Sequence, residues 1–254
     1  MKNKKRNELN FRKVILLLIL FALIIAIIFN IRQKSSNDYI TSSIWINRDS
    51  SKYKVIKQDH NSNYSGIGQE QVTGKDGYFT TFTTENGNKK IYKEYKQNGN
   101  SSWSNKKYWD STMSESGCGI TAMSIILSGY NKNYTPDDLR KKYYPSLRGD
   151  KISYELSHTF GISNSDFYYD SSHLSDKYIE KHLQSNRPIL ICMWSKSGDN
   201  RWTTSSHYMV LLATDGHGMV YVSNPNGLEN SSKSSGWYDI DEVLPYIAKA
   251  LFID

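Results

Sequence analysis

An α+β fold, with helices packed on a later antiparallel sheet, is predicted for this 254-residue chain by two successive patterns and one boundary. Between residues 118 and 184, apolar residues recur at helical spacing. From residue 188 onward they gather in short runs rich in Val, Ile, Leu and Tyr. Helices first and strands afterwards is the order of an α+β arrangement rather than of alternating βα units. The boundary is Cys118, where polar sequence gives way to the first helical pattern. Aromatic content of 13% supplies material for a packed core despite a negative mean hydropathy.

At the N-terminus, Val14 to Phe29 is an unbroken apolar run behind a cluster of Lys and Arg. Roughly 20 residues are needed to cross a bilayer, and Asn30 and Ile31 with snorkelling flanks extend the run. We expect a transmembrane signal-anchor over 14–31. The basic tail 1–13 then stays in the cytoplasm and the rest of the chain faces outward. A cleaved signal, with secretion, is the alternative, although Asn30-Ile31-Arg32-Gln33-Lys34 makes a poor cleavage site. The net charge of +7 resides here: residues 1 to 34 hold eight basic residues against Glu8 alone, leaving the remainder neutral. The basic charge therefore argues for a membrane flank, and no nucleic-acid partner is expected.

Residues 32–89 read as an extracellular stalk, Ser/Asn-rich to about residue 75. A hairpin is expected from Tyr78–Thr84 and Lys89–Tyr95 around Glu85-Asn86-Gly87-Asn88. It belongs either to the stalk or to the first edge of a domain expected over 90–254. Within that domain, Ile120, Met123, Ile126 and Leu127 mark a helix that Gly129 stops. Thr135-Pro136-Asp137-Asp138 opens a second helix with a cap, a proline at the first position and acids in the first turn. Ile152–Phe160 and Asp176–Gln184 are expected as further helices. Pro188–Trp194, His207–Thr214 and Met219–Ser223 are expected as strands. Asp241–Ile247 reads as a short helix and Ala248–Ile253 as a closing strand.

The chain has two cysteines, too few for a disulfide framework. Cys192 sits in Ile189-Leu190-Ile191-Cys192-Met193-Trp194, which reads as a buried strand with a packed thiol. Cys118 stands between Gly117 and Gly119 where a helix begins. Helix N–H groups there favour a thiolate, so a lowered thiol pKa is expected. The flanking glycines leave room for a substrate backbone and let the Cys amide face an oxyanion. A small residue packed at a helix start, or a Cys118–Cys192 disulfide, is the structural alternative.

A nucleophilic cysteine needs a base, remote in sequence. Of six histidines, His60 lies in the stalk, His158, His173 and His182 in or beside polar helices, and His217 in a turn. His207 begins a buried strand and is the preferred base. If Gly216-His217 centre a tight turn, cross-strand partners have numbers summing to 433. Asn224 then lies opposite Met209 and diagonal to His207, within side-chain reach. It can accept a hydrogen bond from the imidazole and hold its tautomer, although Asn224-Pro225-Asn226-Gly227 is equally a turn sequence.

These residues resemble the bacteriocin-processing-like cysteine peptidases, in their stand-alone, papain-like branch. Gln97, Ser116-Gly117-Cys118-Gly119-Ile120-Thr121-Ala122-Met123, Leu127-Ser128-Gly129-Tyr130, Ser206-His207-Tyr208-Met209-Val210 and Asn224-Pro225 follow in the family's order over about residues 90 to 254. The resemblance implies a papain-like fold in which Cys118 attacks a carbonyl, His207 shuttles the proton and Gln97 donates a side-chain N–H to the oxyanion hole. This chain has Asn224-Pro225 where the family usually has Asp-Pro; Asp215 and Asp239 are the other carboxylates weighed for the orienting role. No metal and no cofactor are expected, since there is neither C-x-x-C nor H-E-x-x-H spacing. Three readings follow: a surface thiol peptidase acting on a peptide or protein, a cell-wall (peptidoglycan) amidase or endopeptidase, and an inactive binding module on the same fold.

Overall fold

The computed structural model describes residues 55–59, 68–74, 76–83, 89–99, 101–170, 172–196, 199–226 and 235–254, all within the unit Ser51–Asp254. The basic tail and the apolar run over 14–31 lie outside the described residues. Among the described residues no helix is long and apolar enough to cross a membrane.

Four strands open the described chain: β1 (Val55–Asp59), β2 (Gly68–Gly74), β3 (Gly77–Thr83) and β4 (Lys89–Tyr95). They form one antiparallel sheet in sequence order. Part of the segment read as stalk is thus sheet. The hairpin expected around residues 85–88 is present, with Thr83 paired to Lys89. It packs with the domain: Phe82, Tyr92 and Tyr95 are buried in the same core as the helix that begins at Cys118. The packed core therefore reaches back before residue 90.

A two-residue ladder follows, β5 (Lys107–Tyr108) with β6 (Ser111–Thr112), and then the single turn α1 (Met113–Ser116). The central helix α2 spans Cys118–Gly129 and lies against β4 on one side and against the later strand Ser206–Thr214 on the other. With a sheet on both sides it is buried all round from Ile120 to Ser128, which its nearly uniform apolar sequence requires. Its buried Ser124 and Ser128 hydroxyls donate to the carbonyls of Ile120 and Ile125. The helix end comes so close to β4 that a Cβ on Gly129 would fall 2.2 Å from the Tyr92 ring.

Helix α3 (Pro136–Lys142) starts as expected. The Thr135 hydroxyl accepts from the Asp138 amide, and the Asp138 carboxylate accepts from the Thr135 amide. The helix expected over Ile152–Phe160 is broken instead. A 3₁₀ turn (Gly149–Lys151) leads into α4 (Ile152–Tyr154) and a π-type turn (Glu155–Thr159), and Gly161, at φ +62°, ends the run. Ser157 donates back to the carbonyls of Ser153 and Tyr154, a side-chain competition that loosens helical geometry. Strand β7 (Asn164–Tyr168) follows, polar and unforeseen, then α5 (Asp176–Leu183).

The remaining strands are β8 (Ile189–Trp194), β9 (Ser206–Thr214), β10 (Met219–Ser223), β11 (Gly236–Asp239) and β12 (Ile247–Ile253), with α6 (Ile240–Val243) between the last two. With β7 they form an antiparallel sheet ordered β11-β10-β9-β8-β12-β7. Its second face buries Met209 and Leu211 with Ile179, Leu183 and Val243, so α5 and α6 cover the side opposite α2. The α+β class and its antiparallel sheet are as expected, and the small N-terminal sheet is an addition.

The β9–β10 register carries the site and reaches the expected pairing by an unexpected route. Val220 pairs with Thr214 and Tyr221 with Ala213, sums of 434, so the turn is one residue longer than a Gly216-His217 turn. A bulge at Leu212 then restores the register: Val222 pairs with Leu211 and Ser223 with Val210, sums of 433.

Phe82 meets the rings of Tyr92, Tyr221 and Trp237 edge-on and joins the N-terminal sheet to the main one. Phe82→Ala should lower unfolding free energy by about 3–5 kcal/mol in denaturant titration. An unchanged midpoint would mean the hairpin is not part of the cooperative unit.

Candidate active site

Cys118 is the first residue of α2 and is half-buried. Gly117 before it has no room for a side chain, since a Cβ would lie 2.5 Å from the Met113 carbonyl oxygen. That contact is with backbone, which cannot swing aside. Cys118 also borders a cavity of about 420 Å³, lined among others by Trp109, Asp110, Glu115, Ser206 and Tyr208.

His207 is the second residue of β9 and only 6% exposed; Asn224 follows β10 and is 4% exposed. Neither lines the cavity. The His207 Nε2 lies 2.8 Å from Asn224 Oδ1. The Asn226 amide also donates to that atom, at 2.9 Å. An N–H donor requires an acceptor, so the atom is the amide oxygen and the side chain cannot be flipped. The His207 Nε2 must then carry the hydrogen, which leaves Nδ1 as the acceptor of a neutral ring.

Burial pulls His207 below its ordinary range, helped by the nearby Lys96 charge and opposed by the Asn224 hydrogen bond. Burial pushes the Cys118 thiol upward, although backbone hydrogen bonding from Tyr208, Gly119 and Cys118 itself works the other way. The lowered thiol pKa expected from the helix start is thus corrected: desolvation outweighs the helix amides. The Tyr208 amide places the thiol beside the residue that follows His207. Both shifts favour the neutral forms, thiol and imidazole.

Gln97 lies just beyond β4 and is 2% exposed. Its Nε2 donates to the Ser114 carbonyl at 2.8 Å and its amide to the Pro225 carbonyl at 2.9 Å. Gln97 thus links the turn before Cys118 to the segment after Asn224, and its buried Oε1 has no hydrogen-bond partner among the described residues.

The other candidates have separate tasks. Asp215 closes the β9–β10 turn by accepting from the amides of His217 and Met219. Asp239 caps α6 by accepting from the Asp241 amide. His158 and His173 stack on Tyr154 and Tyr168, and the buried His182 meets the Ile253 carbonyl through Nε2. His60 lies outside the described residues. Both cysteines are free; Cys192 is buried in β8, its thiol pushed up to about 11 chiefly by burial. Among the described residues no group of three His, Cys, Asp or Glu is placed to hold a metal ion.

Sequence reasoning missed Lys96. The signal was the alternation along β4, which puts Tyr92, Glu94 and Lys96 on one row. Charged residues on a row that Tyr92 marks as inward-facing call for a specific use.

A family model, that of the Peptidase_C39 like family, matches residues 92–243, more than half of the chain. The chain belongs to this family of bacteriocin-processing-like cysteine peptidases. Comparison with curated proteins finds none that matches.

Two outcomes follow from the buried pair. Alkylation of Cys118 by iodoacetamide, read by mass spectrometry, should have its midpoint above the ordinary thiol value of about 8.5, with Cys192 higher still. A midpoint near 6 would contradict the neutral resting pair. The unfolded chain takes up a proton on His207 more readily than the native one. Stability should therefore fall as pH drops below about 6.5 and stop changing, for this residue, below its native pKa. In His207→Gln that loss should shrink in denaturant titrations at pH 7 and pH 5.

Proposed function

We propose that this peptidase-family chain is an active thiol peptidase, held at the outer face of a membrane by residues 14–31. Cys118 is the nucleophile, His207 the base, Asn224 its orienting partner and Gln97 an oxyanion donor. The observation that carries the reading is the doubly donated Asn224 oxygen, which leaves His207 Nδ1 as a base.

With thiol and imidazole both neutral, the nucleophile is made as it is used. Cys118 gives its proton to Nδ1 while Sγ attacks the carbonyl carbon. Negative charge moves to the carbonyl oxygen, where the Cys118 amide and a Gln97 N–H stabilise it. The imidazolium then protonates the leaving amine, which departs and leaves a thioester on Cys118. His207 next takes a proton from water, whose oxygen attacks the thioester and frees the carboxylate and the thiol. Asn224 keeps the ring in place throughout but stabilises imidazolium less than a carboxylate would.

A cell-wall target is a second reading, favoured by the cavity. Among the described residues its lining includes the carboxylates Asp110 and Glu115 and no Lys or Arg. Two carboxylates near the nucleophile suit a peptide with a free amine or basic side chain close to the scissile bond, as a wall cross-link can have.

The test uses the full-length chain in detergent with peptide libraries and purified wall fragments. Hydrolysis should be lost in Cys118→Ala and His207→Ala, and reduced on the order of 10²-fold or more in Asn224→Ala. Release of wall peptides without cleavage of linear peptides would select the second reading. No turnover of either, with Cys118 labelling unaffected by His207→Ala, would leave an inactive module. In the active case, Asn224→Asp should move the rising limb of the pH–rate profile upward by about one unit, because a carboxylate favours the protonated ring.

A further inference from the structure

Lys96 is 8% exposed, directly before Gln97, and does not touch the cavity at Cys118. Its Nζ donates to the Asn224 carbonyl at 2.7 Å and to Ser235 Oγ at 3.0 Å. The same Ser235 oxygen accepts from the Asn224 amide at 3.0 Å. Lys96 and Ser235 thus hold both main-chain polar groups of Asn224, whose side chain meets His207. The lysine is itself fixed. Its amide donates to the Asp76 carbonyl, its carbonyl accepts from the Trp103 indole at 2.7 Å, and its ammonium lies 5.1 Å from the centre of the Tyr78 ring.

A buried ammonium is costly unless its donors are used and its charge has a purpose. Glu94, two residues earlier on β4, raises the Lys96 pKa, but its Oε1 is engaged by the Thr80 and Tyr221 hydroxyls. Among the described residues the Lys96 ammonium has no hydrogen bond or salt bridge to a carboxylate. The segment it grips carries Asn where the family usually has Asp, so the carboxylate that acts on Lys96 is Glu94 and not a residue of that segment.

We infer that Lys96 is a positioning residue of this site: its ammonium fixes the Asn224 main chain so that the side-chain oxygen meets His207. Its charge adds to burial, the larger effect, in disfavouring a protonated imidazole. The inference rests on the reading of His207 as the base. Burial brings Lys96 down to about 8 against the opposing pull of Glu94, so its charge is partly lost within a usable pH range. Among the described residues, the groups facing Lys96 are Glu94, Tyr78, Asn224 and Ser235, and those acting on His207 are Asn224 and Lys96.

The test follows the ring nitrogens of His207 by NMR titration of the ¹⁵N-histidine-labelled full-length chain, beside the pH–rate profile. In the wild type the His207 signals should show a second inflection near pH 8 as Lys96 loses its proton. Lys96→Arg should keep the low histidine pKa but lose that inflection, because arginine stays charged. Lys96→Met should raise the histidine pKa and the rising limb of the rate profile by about half a unit or more, through loss of a nearby like charge. A His207 titration free of any inflection near pH 8 in the wild type would overturn the inference, and this decides the matter even if Lys96→Met fails to fold. Identical histidine pKa values in folded wild type and Lys96→Met would overturn it as well. If the inflection is present while no peptide or wall fragment is cleaved, the peptidase reading fails and the Lys96 inference stands.

Discussion

The arrangement of His207 depends on one atom, the side-chain oxygen of Asn224. Two N–H groups converge on it, the His207 ring at 2.8 Å and the Asn226 amide at 2.9 Å. Because an amide oxygen cannot donate, this arrangement fixes the amide, then the tautomer, then which ring nitrogen is basic. Burial disfavours the charged form of that ring and of the Cys118 thiol alike. In the proposed mechanism this gives general-base activation in place of a preformed ion pair.

The fold serves that atom from several directions. The bulge at Leu212 sets the register that carries Asn224 toward His207. Strand β4 packs against α2 through Tyr92 and Gly129, and its extension delivers Lys96 and Gln97 to the Asn224-Pro225 segment. Gly117 lets the chain turn tightly from α1 into α2, so that Cys118 opens the helix. The β3–β4 hairpin is therefore part of the support of the site.

Much of this was legible in the sequence because it depends on local rules. The Thr135-Pro136 cap, the Asn-Gly hairpin, the helix opening at Cys118 and the apolar strand around Cys192 all follow from spacing and composition. The meeting of His207 and Asn224 also followed from register arithmetic, although the turn is longer than drawn and the bulge compensates. What escaped depends on tertiary balance. Strand β7 is polar and pairs only because β12 offers it an edge. The direction of the Cys118 shift turned on how far the thiol is desolvated, which spacing along a helix does not reveal. Lys96 looked like one more basic residue in a lysine-rich strand, and its use appears only once Asn224 is brought across from β10.

The most direct measurement of the central claim is the ring ¹⁵N shift pattern of His207 in the resting full-length chain at pH 7. The account predicts a neutral ring, with Nε2 showing the shift of a protonated nitrogen and Nδ1 that of a bare one, and with the pattern lost in Asn224→Ala. A charged ring at that pH, or a hydrogen resident on Nδ1, would contradict it.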